Sequence, residues 1–286
     1  LPEGFSPNRD HCGSVLLAPA PAQRVMIMGG GDPAINSAHV IDLRASEPAF
    51  EEVAPMIHAR FHINAVLLPD RTVFVSGGNG QSEIAATAVL EAEIYDPATN
   101  TWIAAATAQA ARMYHSIALL LPDGRVLAAG SNPNRRDDEL RLEIYHPPYL
   151  FRGPRPFIET VPEQILYGGD FKIHTPQAKE IQWVELIWPM ATTHSLETGQ
   201  RVVDLEFEAH DFCHLHVKVL TEQNIAPPGW YMLFLVNKQG VPSVAKWVQL
   251  TGGEKPSHDP AEIKQRLDMR VTSKDRPVPG SKGRNY

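Results

Sequence analysis

Short apolar segments separated by polar turns recur along most of this chain. Three similar pairs of them follow one another in the first half: SVLLAPAPAQRVMIMGG, NAVLLPDRTVFVSGG and IALLLPDGRVLAAGS. Each pair predicts two strands joined by a turn and closed by small residues, as in a β-hairpin. Helical periodicity is almost absent, so the pattern predicts an all-β fold.

Shorter predicted strands lie between these hairpins, in HVIDL, AEIYDPATNTW and RLEIYHPPYL. Four strands in about 50 residues is typical of a kelch-type β-propeller blade. Residues 1–153 are therefore predicted to form a partial kelch propeller of about three blades. Because closed propellers have about four to eight blades, we expect the others to come from a removed N-terminal segment, another chain or a symmetric copy.

The pattern changes near RGPRPFIETVPEQI. Residues 154–251 contain about seven short predicted strands, which indicates an immunoglobulin-like β-sandwich. Residues 252–286 are polar and rich in proline, glycine and charge, so they are predicted to form an extended tail. Within this tail, DPAEIKQRL predicts a short helix capped by Asp259.

Composition limits the possible partners of the protein. Hydrophobic residues make up 43% of the chain and the formal net charge is −7, without a long basic run. These values argue against nucleic acid and anionic membranes as main partners, and no apolar run approaches the ~20 residues of a membrane helix.

Cys12 and Cys213 do not form a disulfide framework, so we expect both to be free. The chain opens with LPEGFSPNRD, without a signal-peptide pattern, and composition leaves the compartment open.

The best candidates for chemistry are Tyr114 and His115, adjacent in ARMYHSIALLL, and His194 in WPMATTHSLETGQ. One phenol and two imidazoles suit a copper site. Neighbouring residues of a regular strand point to opposite faces, so Tyr114 and His115 can approach one ion only at a strand start or a bend. The alternative is structural: Tyr114 packs between blades, His115 caps a loop and His194 is solvated.

Three segments in this order, RMYHSIALLLPDGRVLAAGS, ATTHS and PPGWYMLFLVNKQGVPSVAKWVQL, resemble the galactose oxidase and glyoxal oxidase group of copper radical oxidases. The resemblance covers roughly residues 10–251 and corresponds to the C-terminal half of such enzymes. It implies a kelch propeller followed by an immunoglobulin-like, early-set domain that sends a histidine into the propeller axis. By position, it implies that Tyr114 is the axial copper ligand and catalytic base, with His115 and His194 as equatorial ligands.

The resemblance also implies a missing part. Alcohol oxidation removes two electrons, and the family uses one copper ion together with a tyrosine that is cross-linked to a cysteine. That pair belongs to earlier blades, and no other tyrosine of this chain lies in a matching context. The chain alone is therefore expected to be inactive, and to need a partner chain that supplies the remaining blades.

Completed in this way, the protein is expected to oxidise a primary alcohol, an aldehyde or a carbohydrate with O₂ and to release H₂O₂. An extracellular, periplasmic or cell-surface location goes with this expectation. The alternative is a non-catalytic kelch and immunoglobulin-like module, structural or carbohydrate-binding, in an extracellular assembly.

Other positions modify this hypothesis. Phe61 occupies the place that Tyr114 has one blade later, where galactose oxidases tend to have a tyrosine. The resemblance therefore implies an outer wall of any substrate pocket that is more apolar here than in those enzymes. His11 and His62 repeat the position of His115 in earlier blades, and we assign them no metal role. In HDFCHLH, His214 and His216 share one strand face and could bind a metal, although strand alternation also explains them.

Overall fold

The computed structural model describes residues 9–81, 83–135, 137–194 and 196–252, and this part of the chain consists mainly of β-strands. The predicted all-β class is confirmed. Short 3₁₀ helices also occur among these residues, at Ala20–Ala22, Ala85–Thr87, Pro133–Arg135, Pro148–Phe151 and Ala178–Glu180. The predicted tail beyond Gly252, with its short helix, lies outside the described residues.

A search of the described residues finds no helix with the length and apolar character needed to cross a membrane.

The first half of the chain contains two four-stranded antiparallel sheets of the kind predicted for propeller blades. In both, the strands follow one another in chain order, so that neighbours are joined by turns. The first sheet consists of β1 (Gly13–Leu16), β2 (Arg24–Met28), β3 (Ala38–Asp42) and β4 (Phe50–Val53). The second consists of β5 (Asn64–Leu67), β6 (Val73–Ser76), β7 (Glu91–Asp96) and β8 (Thr101–Thr107).

The third sheet has three strands among the described residues, where the repeat predicts four. They are β9 (Ser116–Leu120), β10 (Val126–Gly130) and β11 (Glu143–Tyr145). Pro147 and Pro148 follow β11, and proline has no N–H to donate to a sheet. The chain therefore leaves the sheet and forms the 3₁₀ helix Pro148–Phe151, where the Tyr149 hydroxyl donates to the Gly124 carbonyl.

The sandwich is one sheet of seven strands that folds back on itself, in the order β12-β20-β19-β14-β17-β18-β13. The bend lies in β17, whose Val202–Leu205 half pairs with β14 while its Glu206–Ala209 half pairs with β18. A strand that changes partners in this way makes a corner between the two layers. The strands are β12 (Gln164–Leu166), β13 (Asp170–His174), β14 (Ile181–Ile187), β17 (Val202–Ala209), β18 (His214–Lys218), β19 (Gly229–Asn237) and β20 (Lys246–Thr251).

Strand β19 explains why YMLFLV is apolar without alternation. Successive side chains of a strand point to opposite faces. On one face, Tyr231, Leu233 and Leu235 are buried in the core of the sandwich. On the other, Met232 and Phe234 join the apolar cluster of the three preceding sheets. Residues up to Thr251 form one compact unit, and the predicted domain boundary near residue 153 stays a prediction.

A partly buried group of charged side chains connects the second sheet to the sandwich. Arg71, in the turn between β5 and β6, donates from Nε to Glu185 at 3.0 Å and from Nη2 to Asp204 at 2.8 Å. Its guanidinium also lies 3.8 Å from the centre of the Trp183 ring. Burial of Glu185 raises the pKa of its carboxyl to about 8, against the opposing effect of Arg71.

Candidate metal centre

The turn that carries Tyr114 and His115 is one version of a turn that precedes each of the first three sheets. In each turn an arginine donates from Nη1 to the carbonyl of a glycine that lies at or just after the end of the second strand. The pairs are Arg9 with Gly29 at 3.1 Å, Arg60 with Gly77 at 2.9 Å and Arg112 with Gly130 at 2.8 Å. A histidine with left-handed backbone follows each arginine: His11 (φ 55°), His62 (φ 58°) and His115 (φ 61°).

The left-handed backbone of His115 explains how two adjacent residues reach one place. His115 directly precedes β9, so the strand alternation has not begun, and the Tyr114 and His115 ring centroids are only 3.9 Å apart. The Asn132 N–H donates to the Tyr114 carbonyl at 2.9 Å. Gly130 has φ +65°, and a Cβ there would lie 2.9 Å from the His115 carbonyl oxygen, so the close approach requires glycine.

His194 comes from the sandwich on a short hairpin of β15 (Thr192–Thr193) and β16 (Leu196–Glu197). The Glu197 carboxylate holds the base of this hairpin, because it accepts the N–H groups of Gly199 at 2.6 Å and Gln200 at 2.7 Å. The hairpin packs against strands β1, β5 and β9. The sandwich therefore places His194 at the inner edge of all three preceding sheets.

The structure thus brings Tyr114, His115 and His194 together. The His194 ring centroid lies 5.3 Å from that of His115 and 5.8 Å from that of Tyr114. Tyr114 is half-buried, whereas both histidines are exposed. Nδ1 of His194 lies 2.8 Å from the Thr193 hydroxyl, which leaves Nε2 for a metal. One phenol oxygen and two imidazole nitrogens fit the donor preference of copper.

Two further histidines extend this group of rings. His62 lies 4.2 Å from His11 and 5.0 Å from Tyr114, measured between ring centroids. The His62 side chain is fully buried, and its Nε2 is 3.5 Å from a Glu83 carboxylate oxygen. Within the part of the chain that the structure describes, no group of three or more His, Cys, Asp or Glu residues could hold a metal. In the sequence, this group of rings is indicated by the histidine that recurs before each of the first three sheets.

A cavity of about 420 Å³ opens beside these rings. It adjoins Tyr114 through His11, whose ring centroid is 6.2 Å from that of Tyr114. Phe61 is buried and supplies apolar lining. The described lining contains three carboxylates and no lysine or arginine; it consists of Asp10, His11, Gly31, Asp32, Phe61, Glu83 and Asn134.

The histidines of HDFCHLH lie on the sandwich and separate into two pairs. The His214 ring stands 4.7 Å from that of His174 on β13, and the His216 ring stacks at 4.7 Å on His210. Asp211 binds Nδ1 of His214 at 2.9 Å. Cross-strand pairing and hydrogen bonding therefore account for this motif. Cys12 and Cys213 are both free, as predicted.

Two family models match this chain. Residues 31–149 match the glyoxal oxidase N-terminus, and residues 155–250 match the galactose oxidase-like early set domain. Between them, these matches include the turn that carries Tyr114 and His115 and the hairpin that carries His194.

Curated relatives agree with the family models. Aldehyde oxidase GLOX of Vitis pseudoreticulata is 41% identical over 157 residues, which is 49% of this chain and 30% of the relative. A galactose oxidase of Gibberella zeae is 30% identical over 259 residues, 84% of this chain and 38% of the relative. This chain therefore spans between a quarter and two fifths of the length of the curated relatives that it matches.

Among solved structures, a fungal alcohol oxidase of the AA5 family in complex with copper has a TM-score of 0.77 and 28% sequence identity. The match covers 87% of this chain and 55% of that chain. Both halves of the sequence, the order of the sheets and the group of rings around Tyr114 lead to the same conclusion. The chain belongs to the galactose oxidase and glyoxal oxidase family of copper radical oxidases.

Proposed function

We propose that this chain supplies Tyr114, His115 and His194 as three ligands of one copper ion in an oxidase. The enzyme would oxidise a primary alcohol or an aldehyde with O₂ and release H₂O₂. The observation that carries the proposal is the convergence of the three rings, since two come from the third sheet and one from the sandwich. Packing of the hairpin against the preceding sheets brings His194 to this place, and the result is two imidazoles and one phenol within about 6 Å of one another, measured between ring centroids.

Each residue has a role that follows from its position. Copper, when bound, supplies a one-electron acceptor. Tyr114 is half-buried beside the cavity, so its phenolate can accept the proton of a substrate hydroxyl as general base. His115 and His194 are held by left-handed turns at φ 61° and 53°, which orient their rings. Phe61 gives the cavity an apolar wall against which the carbon chain of a substrate can pack.

The fourth ligand is proposed to come from outside these residues, as a tyrosine linked to a cysteine. The hydroxyls of most other described tyrosines are committed elsewhere: Tyr95 to Asn100, Tyr149 to Gly124, Tyr167 to Ala226 and Tyr231 to Pro227. Tyr145 stacks on Phe74, with ring centroids 4.5 Å apart. We accordingly propose that further propeller blades, on the same or another polypeptide, carry the radical pair. An extracellular, periplasmic or cell-surface location is part of this proposal.

Copper binding tests the proposal directly. We expect the purified protein to bind one copper ion per chain, measured by elemental analysis after dialysis. The His194→Ala variant should lose most of this copper because one of three donors is removed. His146→Ala is the matched control, since His146 lies after β11 and its ring packs on Phe151. Wild-type protein that retains no copper, or a His194→Ala variant that retains as much as wild type, contradicts the proposal.

Oxidase activity separates an enzyme from a binding module. The copper-loaded protein, with the blades that complete it, should form H₂O₂ from a primary alcohol in a peroxidase-coupled assay. Copper binding without H₂O₂ formation from any alcohol or aldehyde favours the non-catalytic alternative.

A further inference from the structure

Two buried hydrogen bonds hold the residues on either side of Tyr114 and His115. The Ser131 hydroxyl accepts the Met113 N–H at 2.8 Å, and the Asn64 side-chain amide donates to the Ser116 hydroxyl at 2.7 Å. All four residues are buried, and none of them is a proposed ligand. Met113 and Ser116 flank the ligand pair on either side, so these bonds fix both ends of the turn.

The bonds join three separate parts of the fold. Asn64 begins β5 and Ser116 begins β9, so their hydrogen bond links the second and third sheets next to His115. Ser131 follows the end of β10 and reaches back to the start of the same turn. A change at either bond would therefore move the backbone that carries Tyr114 and His115.

Ser131 occupies an unfavourable backbone conformation, with φ 142°. A residue with a side chain is strained in this region, whereas glycine adopts it readily. Serine here therefore has a conformational cost, and the Met113 hydrogen bond is what its hydroxyl gains.

We propose that Ser131 and Asn64 are positioning residues of the metal centre. They fix the backbone from Met113 to Ser116 so that the Tyr114 oxygen and a His115 nitrogen face one ion. This inference rests on the proposed copper site. The loss of a group hydrogen-bonded to a metal ligand typically weakens metal affinity or activity about 10- to 100-fold. Ser131 and Asn64 bond the residues that flank the ligands, so we expect effects at the lower end of this range.

Ser131→Gly is the decisive variant, because it removes the hydroxyl and relieves the backbone strain at the same time. The matched control is Ser243→Ala in the sandwich. Ser243 is also buried, and its hydroxyl accepts the Leu235 N–H at 3.0 Å. Both variants thus delete the same kind of bond, and only the Ser131 bond holds a residue next to the ligands. Copper affinity by chelator competition, the Cu(II) electron paramagnetic resonance spectrum and Tm are measured for each.

We expect Ser131→Gly to bind copper roughly tenfold more weakly than wild type, with an altered Cu(II) spectrum. Ser243→Ala should lower Tm and leave copper affinity and spectrum unchanged. Asn64→Ala and Ser116→Ala, made singly and together, should weaken copper binding non-additively because they share one bond. Wild-type affinity and spectrum in both Ser131→Gly and Asn64→Ala would overturn the inference.

A readout without metal separates this inference from the proposed copper site. If wild-type protein binds no copper, the proposed function fails. In the metal-free protein, the NMR signals of the His115 and Tyr114 rings still report on their positions. Shifts of these signals in Ser131→Gly, and not in Ser243→Ala, support positioning. Unchanged ring signals in Ser131→Gly contradict it.

Discussion

The turns before β5 and β9 use the same arginine device and present different side chains. Arg60 donates to the Gly77 carbonyl and to Glu93, and Arg112 donates to the Gly130 carbonyl and to Glu143. The histidine after each arginine has a left-handed backbone. Two residues separate Arg112 from His115, however, whereas Phe61 alone separates Arg60 from His62.

This one-residue difference changes which group reaches the surface. His62 is 1% exposed and packs beneath Tyr114, while His115 is exposed next to Tyr114. The arginine and the glycine thus preserve the turn in each repeat. Phe61 and Tyr114 both directly precede the histidine, so the extra residue is Met113, and the turn before β9 carries a phenol where the turn before β5 carries a phenyl ring. The two turns therefore share their supporting hydrogen bonds and differ in the side chains that they present.

Substitution of Tyr114 and Phe61, the aromatic residues of the two turns, should give the largest difference, and it is expected in kcat. Tyr114→Phe removes the proposed proton acceptor, and we expect kcat to fall about 10²- to 10⁴-fold. Phe61→Tyr adds a hydroxyl to the equivalent position of the other turn and should change kcat less than about tenfold, because that position accepts no proton. Steady-state H₂O₂ assays compare the two. Equal losses in both variants would show that Tyr114 has no special role.

Replacement of Arg60 should lower the free energy of unfolding more than replacement of Arg112. Arg60→Met leaves the carboxylate of Glu93 fully buried with the Ile57 and His58 N–H groups as donors and without its cationic partner, which should cost about 3–5 kcal/mol of the free energy of unfolding. Arg112→Met should cost less, about 1–3 kcal/mol, because the Glu143 side chain is 23% exposed and solvent can replace the lost partner. Urea denaturation measures both values. A larger loss for Arg112→Met contradicts the assignment of the tighter pair to Arg60.

The hairpin turns of the second and third sheets differ in a related way. LPDRT has Arg71 at a left-handed position (φ 69°) where LPDGR has Gly124 (φ 80°). Arg71 reaches Glu185 and Asp204 in the sandwich, whereas Arg125 pairs with Asp123 in its own turn. The strained arginine therefore connects two parts of the molecule, and its partner Glu185 has a raised pKa.

The raised pKa of Glu185 predicts a pH dependence. Because its folded-state pKa is about 8 and the ordinary value is 4.5, the folded state holds the extra proton between these values. Its contribution to stability is therefore greatest at low pH and is lost as pH rises through 8. Relative to Glu185→Gln, the wild type should lose about 2 kcal/mol between pH 6 and pH 8. The prediction is wrong if urea denaturation gives the same change in the free energy of unfolding between pH 6 and pH 8 for wild type and Glu185→Gln.

Much of the fold could be predicted from the sequence because the repeat fixes strand length and turn chemistry together. The hydrogen bonds of Arg9, Arg60 and Arg112 could not be predicted. Their acceptors are backbone carbonyl groups such as that of Gly77, and every residue has such a carbonyl. Among the described residues β11 has no further strand beside it, because Pro147 and Pro148 end the pairing, and the repeat pattern does not show this effect. The apolar run YMLFLV predicts a strand, but only the structure shows that both of its faces are buried.

The candidate site, like the fold, could be predicted from the sequence only in part. Tyr114, His115 and His194 were identified by resemblance, while alternation along a strand argued against a shared position for Tyr114 and His115. The left-handed φ of His115 removes that objection, and no local pattern in YHS predicts it. Ser131 and Asn64 could not be found from sequence because small buried polar residues are common, and only their partners distinguish them.

The smallest expected effect concerns the cavity that Phe61 shares with Asp10, Asp32 and Glu83. Three carboxylates near one opening should favour a cationic substrate over a neutral one and disfavour an anionic one. Choline and 3,3-dimethyl-1-butanol have nearly the same shape and differ in charge, so the ratio of their kcat/KM values isolates this effect. We expect a preference for choline of roughly threefold to tenfold, since partly exposed charge pairs are worth about 0.2–1 kcal/mol each.

Salt and a charge-removing variant test the origin of this preference. The ratio should fall towards one as salt increases, because ions screen exposed charges. Asp10→Asn should lower it further, whereas Glu206→Gln, which removes a charge on the exposed face of the sandwich, should not. A ratio of one in wild type at low salt would mean that the cavity does not select by charge. For a substrate in this cavity, the main difference between the turns before β5 and β9 would then be the apolar ring of Phe61.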